Sequence, residues 1–132
     1  MVWIGAILPG SAQTVADVQL AVLQYRGGGD WYANPTAVPN LVRFCNEEMG
    51  MDLVATVPYV EVGSPDLFNH PWIHMTGHGN VVFSNREAEQ LRTYLTSGGF
   101  LHISDNYGMD PFVRSAMAKV FPDRDWVEVP FD

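Results

Sequence analysis

The chain has 132 residues, of which 47% are hydrophobic and 12% aromatic, so it is long enough to bury a core as one globular domain. A net charge of −8 argues against nucleic acid and anionic membrane surfaces as partners, because both require basic patches. The single cysteine excludes an internal disulfide and any multi-cysteine metal site.

Residues 1–13 are apolar at first and then small, and they allow two interpretations. They resemble the end of the hydrophobic region of a truncated signal peptide, with Gly10-Ser11-Ala12 as the cleavage site, although the usual basic stretch is missing. The alternative is an edge strand or a disordered start. On the first interpretation the protein is exported or periplasmic, and otherwise it is cytoplasmic. No run approaches the roughly 20 apolar residues of a membrane span, so no transmembrane segment is predicted.

Residues 14–132 are predicted to form a single domain, and residues 18–25 its central first strand, because an aliphatic run there ends in three glycines. The loop GGGDWYANPT follows. Glycines let the backbone approach a ligand closely, and an acid with two aromatics is unusual in a connector. The candidate ligand-binding residues of this loop are Gly28, Gly29, Asp30 and Trp31. The alternative is that Trp31 and Tyr32 only pack over the edge of the sheet.

The next predicted element is a helix from Asn34 or Thr36 to Met49, with a proline tolerated in its first turn. Helical spacing places four residues on one apolar face, namely Leu41, Phe44, Cys45 and Met49. Cys45 is therefore expected to be a buried, slowly reacting core thiol rather than a nucleophile.

Residues 53–62 predict a second strand region, and because Pro58 interrupts it we expect either an edge position in the sheet or a strand with a break. Ser64-Pro65-Asp66 is typical of the start of a short helical turn. His70 precedes the next strand, at the end of the sheet opposite a ligand crevice, and is interpreted as an ordinary surface histidine.

The stretch from Trp72 to Gly108 predicts a strand, a helix and a second strand. The strands, 72–76 and 100–104, should be parallel and joined by a right-handed crossover, because a helix lies between them. A capping box, S-x-x-E, begins that helix, and its buried stripe is Ala88, Leu91, Tyr94 and Leu95. His74 and His102 lie within the two strands and are expected to be hydrogen-bonded core histidines.

Asp110-Pro111 begins a last predicted helix, whose packing residues are Phe112, Met117 and Val120. Residues 126–131 (WVEVPF) predict a final strand. No helix follows to cover it, so we expect the natural domain to continue past Asp132 and this strand to leave an exposed apolar edge.

The loops TGHGN and SDNYG follow the two strands of the 72–108 unit, where ligands sit in open α/β sheets. Their candidate ligand-binding residues are Gly77, His78, Gly79, Asn106 and Tyr107. His78 could act as a base, an acid or a ligand, or be a loop histidine bonded to backbone. Asp105 either orients His78 or caps a backbone turn. His78 with Asp105 and Asp30 is an unspecific set that a metal would accept; no cofactor is predicted.

The motifs GGGDWYANPT, NLVRF, DLF, TGHGN, GGFLHISDNYG and FPDR, in this order and spacing, resemble the domain-of-unknown-function family 4159, which is grouped with class I glutamine amidotransferase-like proteins. The resemblance covers nearly everything from residue 18 to 132. It implies a three-layer αβα fold with a mostly parallel, flavodoxin-like sheet. Family members are commonly bacterial, exported or membrane-associated.

By position, the resemblance makes Gly77 to Gly79 the oxyanion loop and the turn after residue 104 the nucleophile elbow of the amidotransferase-like fold. That elbow reads Asp105-Asn106-Tyr107, and an amide cannot replace a thiolate as nucleophile. The first hypothesis is therefore a non-catalytic module that binds a small anionic ligand or a protein partner. The alternative is a hydrolase in which His78, with Asp105 or Asp30, activates water. A structural module of an exported assembly is a third hypothesis.

Overall fold

The computed structural model describes residues 17–131, so the prediction for residues 1–13 lies outside the described part of the chain. Three helices and four strands alternate along it, with a short 3-10 turn before the third strand. In chain order they are β1 (Ala21–Gln24), α1 (Ala37–Met49), β2 (Tyr59–Glu61), the turn (Pro65–Asn69), β3 (Trp72–His78), α2 (Asn85–Thr96), β4 (Phe100–Tyr107) and α3 (Asp110–Val120).

The four strands form one sheet in the order β2-β1-β3-β4, and every neighbouring pair is parallel. The chain therefore has an α/β fold, consistent with the predicted three-layer αβα flavodoxin-like architecture. β1 is central and β2 is an edge strand that begins directly after Pro58, both as predicted. β3 and β4 pair from Trp72 opposite Phe100 to Gly77 opposite Asp105.

Hydrophobic side chains fill both faces of the sheet, because successive strand residues point to opposite sides. Along β1, Ala21 and Leu23 join the larger cluster, whereas Leu20 and Val22 join the smaller one. Helices α2 and α3 cover the larger cluster, through Ala88, Leu91, Tyr94, Val113, Ala116 and Val120. Helix α1 covers the smaller cluster with Val38 and Val42. This layering holds the carboxyl ends of β1, β3 and β4 side by side.

Helix α2 follows the sequence prediction closely. Ser84 and Glu87 form the reciprocal capping box: the Glu87 carboxylate accepts from Ser84 N at 2.7 Å, and Ser84 Oγ accepts from Glu87 N at 3.2 Å. The predicted stripe faces the core, with Leu95 partly buried. In α3, Val120 is buried and Met117 partly buried as predicted, but Phe112 is 39% exposed, and the stripe runs through Val113 and Ala116 instead.

The predicted apolar face of α1 is wrong. Leu41, Phe44 and Met49 are 38%, 55% and 63% exposed, whereas Val38 and Val42 are each 2% exposed. Apolar residues surround this helix on several sides, so periodicity did not single out the stripe that meets the sheet. Cys45 is partly buried beside that stripe, so its expected burial is met only in part.

Residues 126–131 form no strand, so the predicted final strand is wrong. Their apolar character has the pattern of a strand, but a strand also requires a partner, and none of the described strands pairs with them. Val127, Val129 and Phe131 are strongly exposed. Trp126 instead lies against helix α3, where the Arg114 guanidinium carbon is 5.1 Å from its ring centroid.

Of the three histidines outside the candidate site, two differ from their predictions in burial. His70 was predicted to be a surface residue but is 3% exposed, because it lies beneath the 3-10 turn, with Nδ1 3.2 Å from the Gln19 carbonyl oxygen. His74 is buried as predicted, whereas His102 is exposed, because no helix covers this part of the outer strand β4. The two are hydrogen-bonded to each other, with 3.0 Å between their Nδ1 atoms.

Candidate functional site

The candidate site lies at the carboxyl edge, defined here as the side of the sheet where β1, β3 and β4 end. The GGGDWYANPT loop follows β1, the TGHGN loop ends β3, and Asn106 and Tyr107 end β4. A β-bulge at Gly77 and His78 shifts the register there, so His78 lies opposite Tyr107. The three loops converge as the sequence predicted.

Glycines allow the first two loops to pack against each other. Gly77 has φ +145°, and a Cβ there would clash with the Tyr25 hydroxyl and lie 3.1 Å from Asp30 Oδ1. A Cβ at Gly29 would lie 2.7 Å from the Asn80 carbonyl oxygen. These two glycines are required by close backbone approach. Gly28 and Gly79 also have positive φ, at +91° and +70°, but nothing lies within 4 Å of their Cβ positions.

Tyr25 anchors the joint beneath this edge. Its hydroxyl is buried and donates to the Thr76 carbonyl oxygen at 3.0 Å. Burial raises the pKa of Tyr25 to about 12, and the negative charge of Asp30 adds to the effect. The phenol is therefore neutral in the folded protein at neutral pH, and it fixes β3 just before Gly77.

Asp30 and His78 form the central pair of the site, called here the Asp30–His78 pair. Asp30 Oδ1 accepts the backbone N–H of His78, and Asp30 Oδ2 is 2.9 Å from His78 Nδ1. The backbone hydrogen bond, followed by the side-chain hydrogen bond, holds the pKa of Asp30 below its usual value. A carboxylate can only accept, so the neutral form of the imidazole carries its proton on Nδ1 and leaves Nε2 as an acceptor, while the His78 side chain is 55% exposed.

Asn34, four residues after Asp30 in the same loop, fixes the end of β4. Asn34 Nδ2 donates to Asn106 Oδ1 at 2.7 Å, whereas the single hydroxyl hydrogen of Thr76 goes to the Ser104 carbonyl oxygen at 3.0 Å rather than to Asn106 Oδ1 at 3.4 Å. Asn34 adopts the left-handed conformation, with φ 55°, which asparagine tolerates better than most residues. Because its oxygen is engaged, Asn106 retains its amide NH₂ group as a donor for a ligand.

Asp105 does not face His78. Its Oδ1 accepts the backbone N–H of Met109 at 2.9 Å, and its Oδ2 accepts that of Asp110 at 3.0 Å. Asp105 therefore caps the start of α3, which was one of the two predicted roles, and Asp30 takes the other. Within residues 17–131 no group of three or more His, Cys, Asp or Glu side chains is arranged to hold a metal ion, so His78, Asp105 and Asp30 do not form a ligand set.

The aromatic residues of the edge divide into one packed ring and two exposed rings. Trp31 packs against the larger core cluster and makes an edge-to-face contact with Tyr59, at 5.1 Å between ring centroids. It lies over the sheet edge, which was the alternative interpretation. Tyr32 and Tyr107 are 61% and 83% exposed, so both are available to a ligand.

Two cavities of the described chain lie elsewhere. One, of about 510 Å³, is lined by α3 and residues 121–126, and the other, of about 250 Å³, lies at the opposite end of the sheet beside Tyr94. The carboxyl edge is instead an open surface with converging side chains. Sequence reasoning missed Asn34, Thr76 and Tyr25, although an asparagine four residues after Asp30 in a glycine-rich loop was a signal for Asn34.

No helix within residues 17–131 has the length and apolar character needed to cross a membrane. Residues 19–132 match the profile of the family described as "Domain of unknown function (DUF4159)", and the chain therefore belongs to that family. No curated protein matches the sequence.

Proposed function

We propose that this DUF4159 domain is a binding module for a small ligand, which it contacts through His78 and Asn106 at the carboxyl edge. One observation carries the proposal: two residues of a single loop hold both groups in place. Asp30 is hydrogen-bonded to the imidazole of His78, and Asn34 is hydrogen-bonded to the side-chain amide of Asn106. Side chains on two neighbouring strands are thus held in defined orientations with their remaining polar groups free. Such preorganisation lowers the entropic cost of binding and has no evident use for folding.

The relation to class I glutamine amidotransferase-like proteins is part of this proposal. The parallel sheet, the TGHGN loop at the end of β3 and the polar turn at the end of β4 support it. Asn106 stands where that fold has its cysteine, so the domain should release no ammonia from glutamine. Replacing Asn106 by Cys should not create the activity, because the backbone N–H of His78 in the Gly77 to Gly79 loop already donates to Asp30 and is not free to stabilise an oxyanion. We also propose, from the family resemblance alone, that the protein is exported.

A second candidate function is hydrolysis by an activated water, and the 2.9 Å contact between Asp30 and His78 Nδ1 favours it. A carboxylate that holds Nδ1–H and stabilises an imidazolium is the arrangement of a general base. Release of p-nitrophenol from p-nitrophenyl acetate or a p-nitrophenyl glycoside would support this function if His78→Ala abolishes it and Asp30→Asn reduces it. Equal rates in the wild type and His78→Ala would exclude it.

Side-chain NMR of the full chain tests the binding function. The imidazole of His78 and the side-chain amide of Asn106 should shift together on titration with one member of a panel of acetate, phosphate, glutamine and glucose, and the bound ligand should raise the unfolding temperature. Asn34→Ala should weaken that binding, because it frees Asn106, whereas Asn40→Ala on exposed helix α1 is the matched control. If no compound moves either signal, the proposal is wrong.

A further inference from the structure

The loop amide that would receive an anion is already engaged. The backbone N–H of His78 lies in the Gly77 to Gly79 turn, and it donates to the carboxylate of Asp30. This carboxylate occupies the place of an anionic ligand and adds a negative charge to the edge, in a chain whose net charge is −8. A second anion at this position would be repelled and would lack that donor. The site is therefore suited to a ligand without charge.

The two groups left free form a complementary donor and acceptor. Asn106 offers its NH₂ group, because its oxygen accepts from Asn34. His78 offers the lone pair of Nε2, because Asp30 holds its Nδ1. The register places His78 opposite Tyr107, the neighbour of Asn106, so the two groups end adjacent strands. A hydroxyl group that donates to His78 while a neighbouring hydroxyl accepts from Asn106 satisfies both.

The exposed tyrosines add an apolar component. Tyr107 is 83% exposed and directly follows Asn106, and Tyr32 is 61% exposed in the loop that carries Asp30 and Asn34. Exposed aromatic rings beside oriented polar groups suit a ligand that has a ring of C–H groups and a rim of hydroxyls. We infer that the ligand of this site is a neutral carbohydrate, an inference that rests on the proposed binding function.

Replacing Asn106 by aspartate isolates the critical donor. Asn106→Asp keeps an oxygen for Asn34, so the fold should be preserved, and it changes the NH₂ donor into a negatively charged acceptor, whose charge is controlled for by Asn40→Asp. The test uses glucose, N-acetylglucosamine and maltose as neutral probes, with glucuronate and glucose 6-phosphate as their anionic counterparts. The dissociation constant is measured from the His78 and Asn106 signals of the full chain, or from His78 alone in the variant.

The wild type should bind a neutral sugar at least about fivefold more tightly than its anionic counterpart, and Asn106→Asp should weaken the binding by about tenfold or more. Tyr107→Ala should weaken it by a smaller factor, because it removes stacking but no hydrogen bond. Asn40→Asp adds the same charge on an exposed turn of α1 and should change the affinity less than twofold. Far-UV circular dichroism and the unfolding temperature verify that each variant is folded.

The outcomes separate the two proposals. Tighter binding of the anionic sugars, or of acetate, phosphate or glutamine, with shifts at His78 and Asn106, overturns the carbohydrate inference and leaves the binding function standing. An unchanged affinity in Asn106→Asp also overturns the inference. If no compound of either panel moves the two signals, both proposals fail.

Discussion

Strand β3 carries two histidines, His74 and His78, whose side chains are both hydrogen-bonded. They differ in the chemical nature of the partner. His74 lies on the covered face of the sheet and shares a hydrogen bond with another imidazole, that of His102, at 3.0 Å. His78 lies at the end of the same strand, is half exposed and bonds to a carboxylate. An imidazole partner brings no negative charge with which to stabilise an imidazolium, whereas a carboxylate partner does. The face of the sheet therefore holds a structural pair, and the carboxyl edge holds a pair suited to chemistry or binding.

The surroundings of the two pairs support this distinction. Trp72 stacks on both His74 and His102, with ring centroids 5.9 and 5.7 Å away, so the first pair belongs to an aromatic stack. Burial, followed by the nearby imidazole of His102, lowers the pKa of His74. At the carboxyl edge, hydrogen bonds rather than packing fix the orientation of His78. Substitutions in the His74–His102 pair should therefore change the free energy of unfolding, whereas substitutions in the Asp30–His78 pair should change the candidate site.

The largest expected effect concerns the backbone that positions His78. Gly77→Val should destabilise the protein by more than about 3 kcal/mol, because its φ of +145° is unfavourable for a β-branched residue and its Cβ would clash with Tyr25. Gly79→Ala, at φ +70° with open space around it, is the matched control and should cost about 1 kcal/mol. Urea unfolding measures both. Similar losses of unfolding free energy in the two variants would show that the packing of the first two loops against each other does not stabilise the carboxyl edge.

The next largest effect is a loss of stability at alkaline pH that depends on Tyr25. Its pKa is raised from the ordinary value of 10.0 to about 12 in the folded state, so the unfolded chain loses this proton first. The contribution to stability is therefore complete below pH 10 and is lost as the pH rises toward 12. The loss should be on the order of 2 to 3 kcal/mol. Comparing urea unfolding of the wild type with Tyr25→Phe, between pH 9 and 12, isolates it.

A smaller effect of acid tests the histidine pair on the face of the sheet. The pKa of His74 is lowered in the folded state, so the unfolded chain binds the proton more readily. The contribution of His74 is complete above its unfolded value of 6.5 and is lost as the pH falls through the lower folded value. Urea unfolding between pH 8 and pH 5 should show a decline that His74→Gln removes. A decline of the same size in that variant would assign it to other groups.

The sequence was sufficient for the fold because its signals were local. The capping box at Ser84 and the interruption at Pro58 each mark where one element begins or breaks, and short parallel connections then leave few topologies. The buried face of α1 could not be predicted in this way. Which side of that helix meets the sheet depends on the position of the neighbouring strands, and the exposed Phe44 would have fitted a core equally well.

The candidate site was predicted in part for the same reason. Topology places His78 and Asn106 at one edge, so the sequence could bring their loops together. It could not choose between Asp30 and Asp105 as the partner of His78, because that choice depends on which way each carboxylate points. Asp105 is turned toward the N–H groups at the start of α3, and only atomic positions reveal this. The hydrogen bond from Asn34 to Asn106 joins residues 72 positions apart, and no local sequence pattern indicates that they are partners.

The smallest effect on stability, and the most specific for the site, is expected from Asp30→Asn. The pair is partly exposed, with side-chain exposures of 55% for His78 and 32% for Asp30, so solvent screens much of its charge interaction. Asp30→Asn should have a larger effect on the tautomer of His78, since the variant loses the anionic acceptor that favours a proton on Nδ1.

The ¹⁵N chemical shifts of His78 should therefore move from the Nδ1–H tautomer in the wild type toward the Nε2–H tautomer in Asp30→Asn, while His74 and His102 remain unchanged. Because the pKa of Asp30 is lowered, its contribution to stability is present above the usual value of 3.8 and is lost as the pH falls through the lower folded value, so the variant should also lack that acid loss. Asp66→Asn, whose carboxylate also has a lowered pKa but lies 3.5 Å from His70, is the matched control and should leave the tautomer of His78 unaltered. A wild-type spectrum with the Nε2–H tautomer would contradict the assignment of Nε2 as the free acceptor of the site.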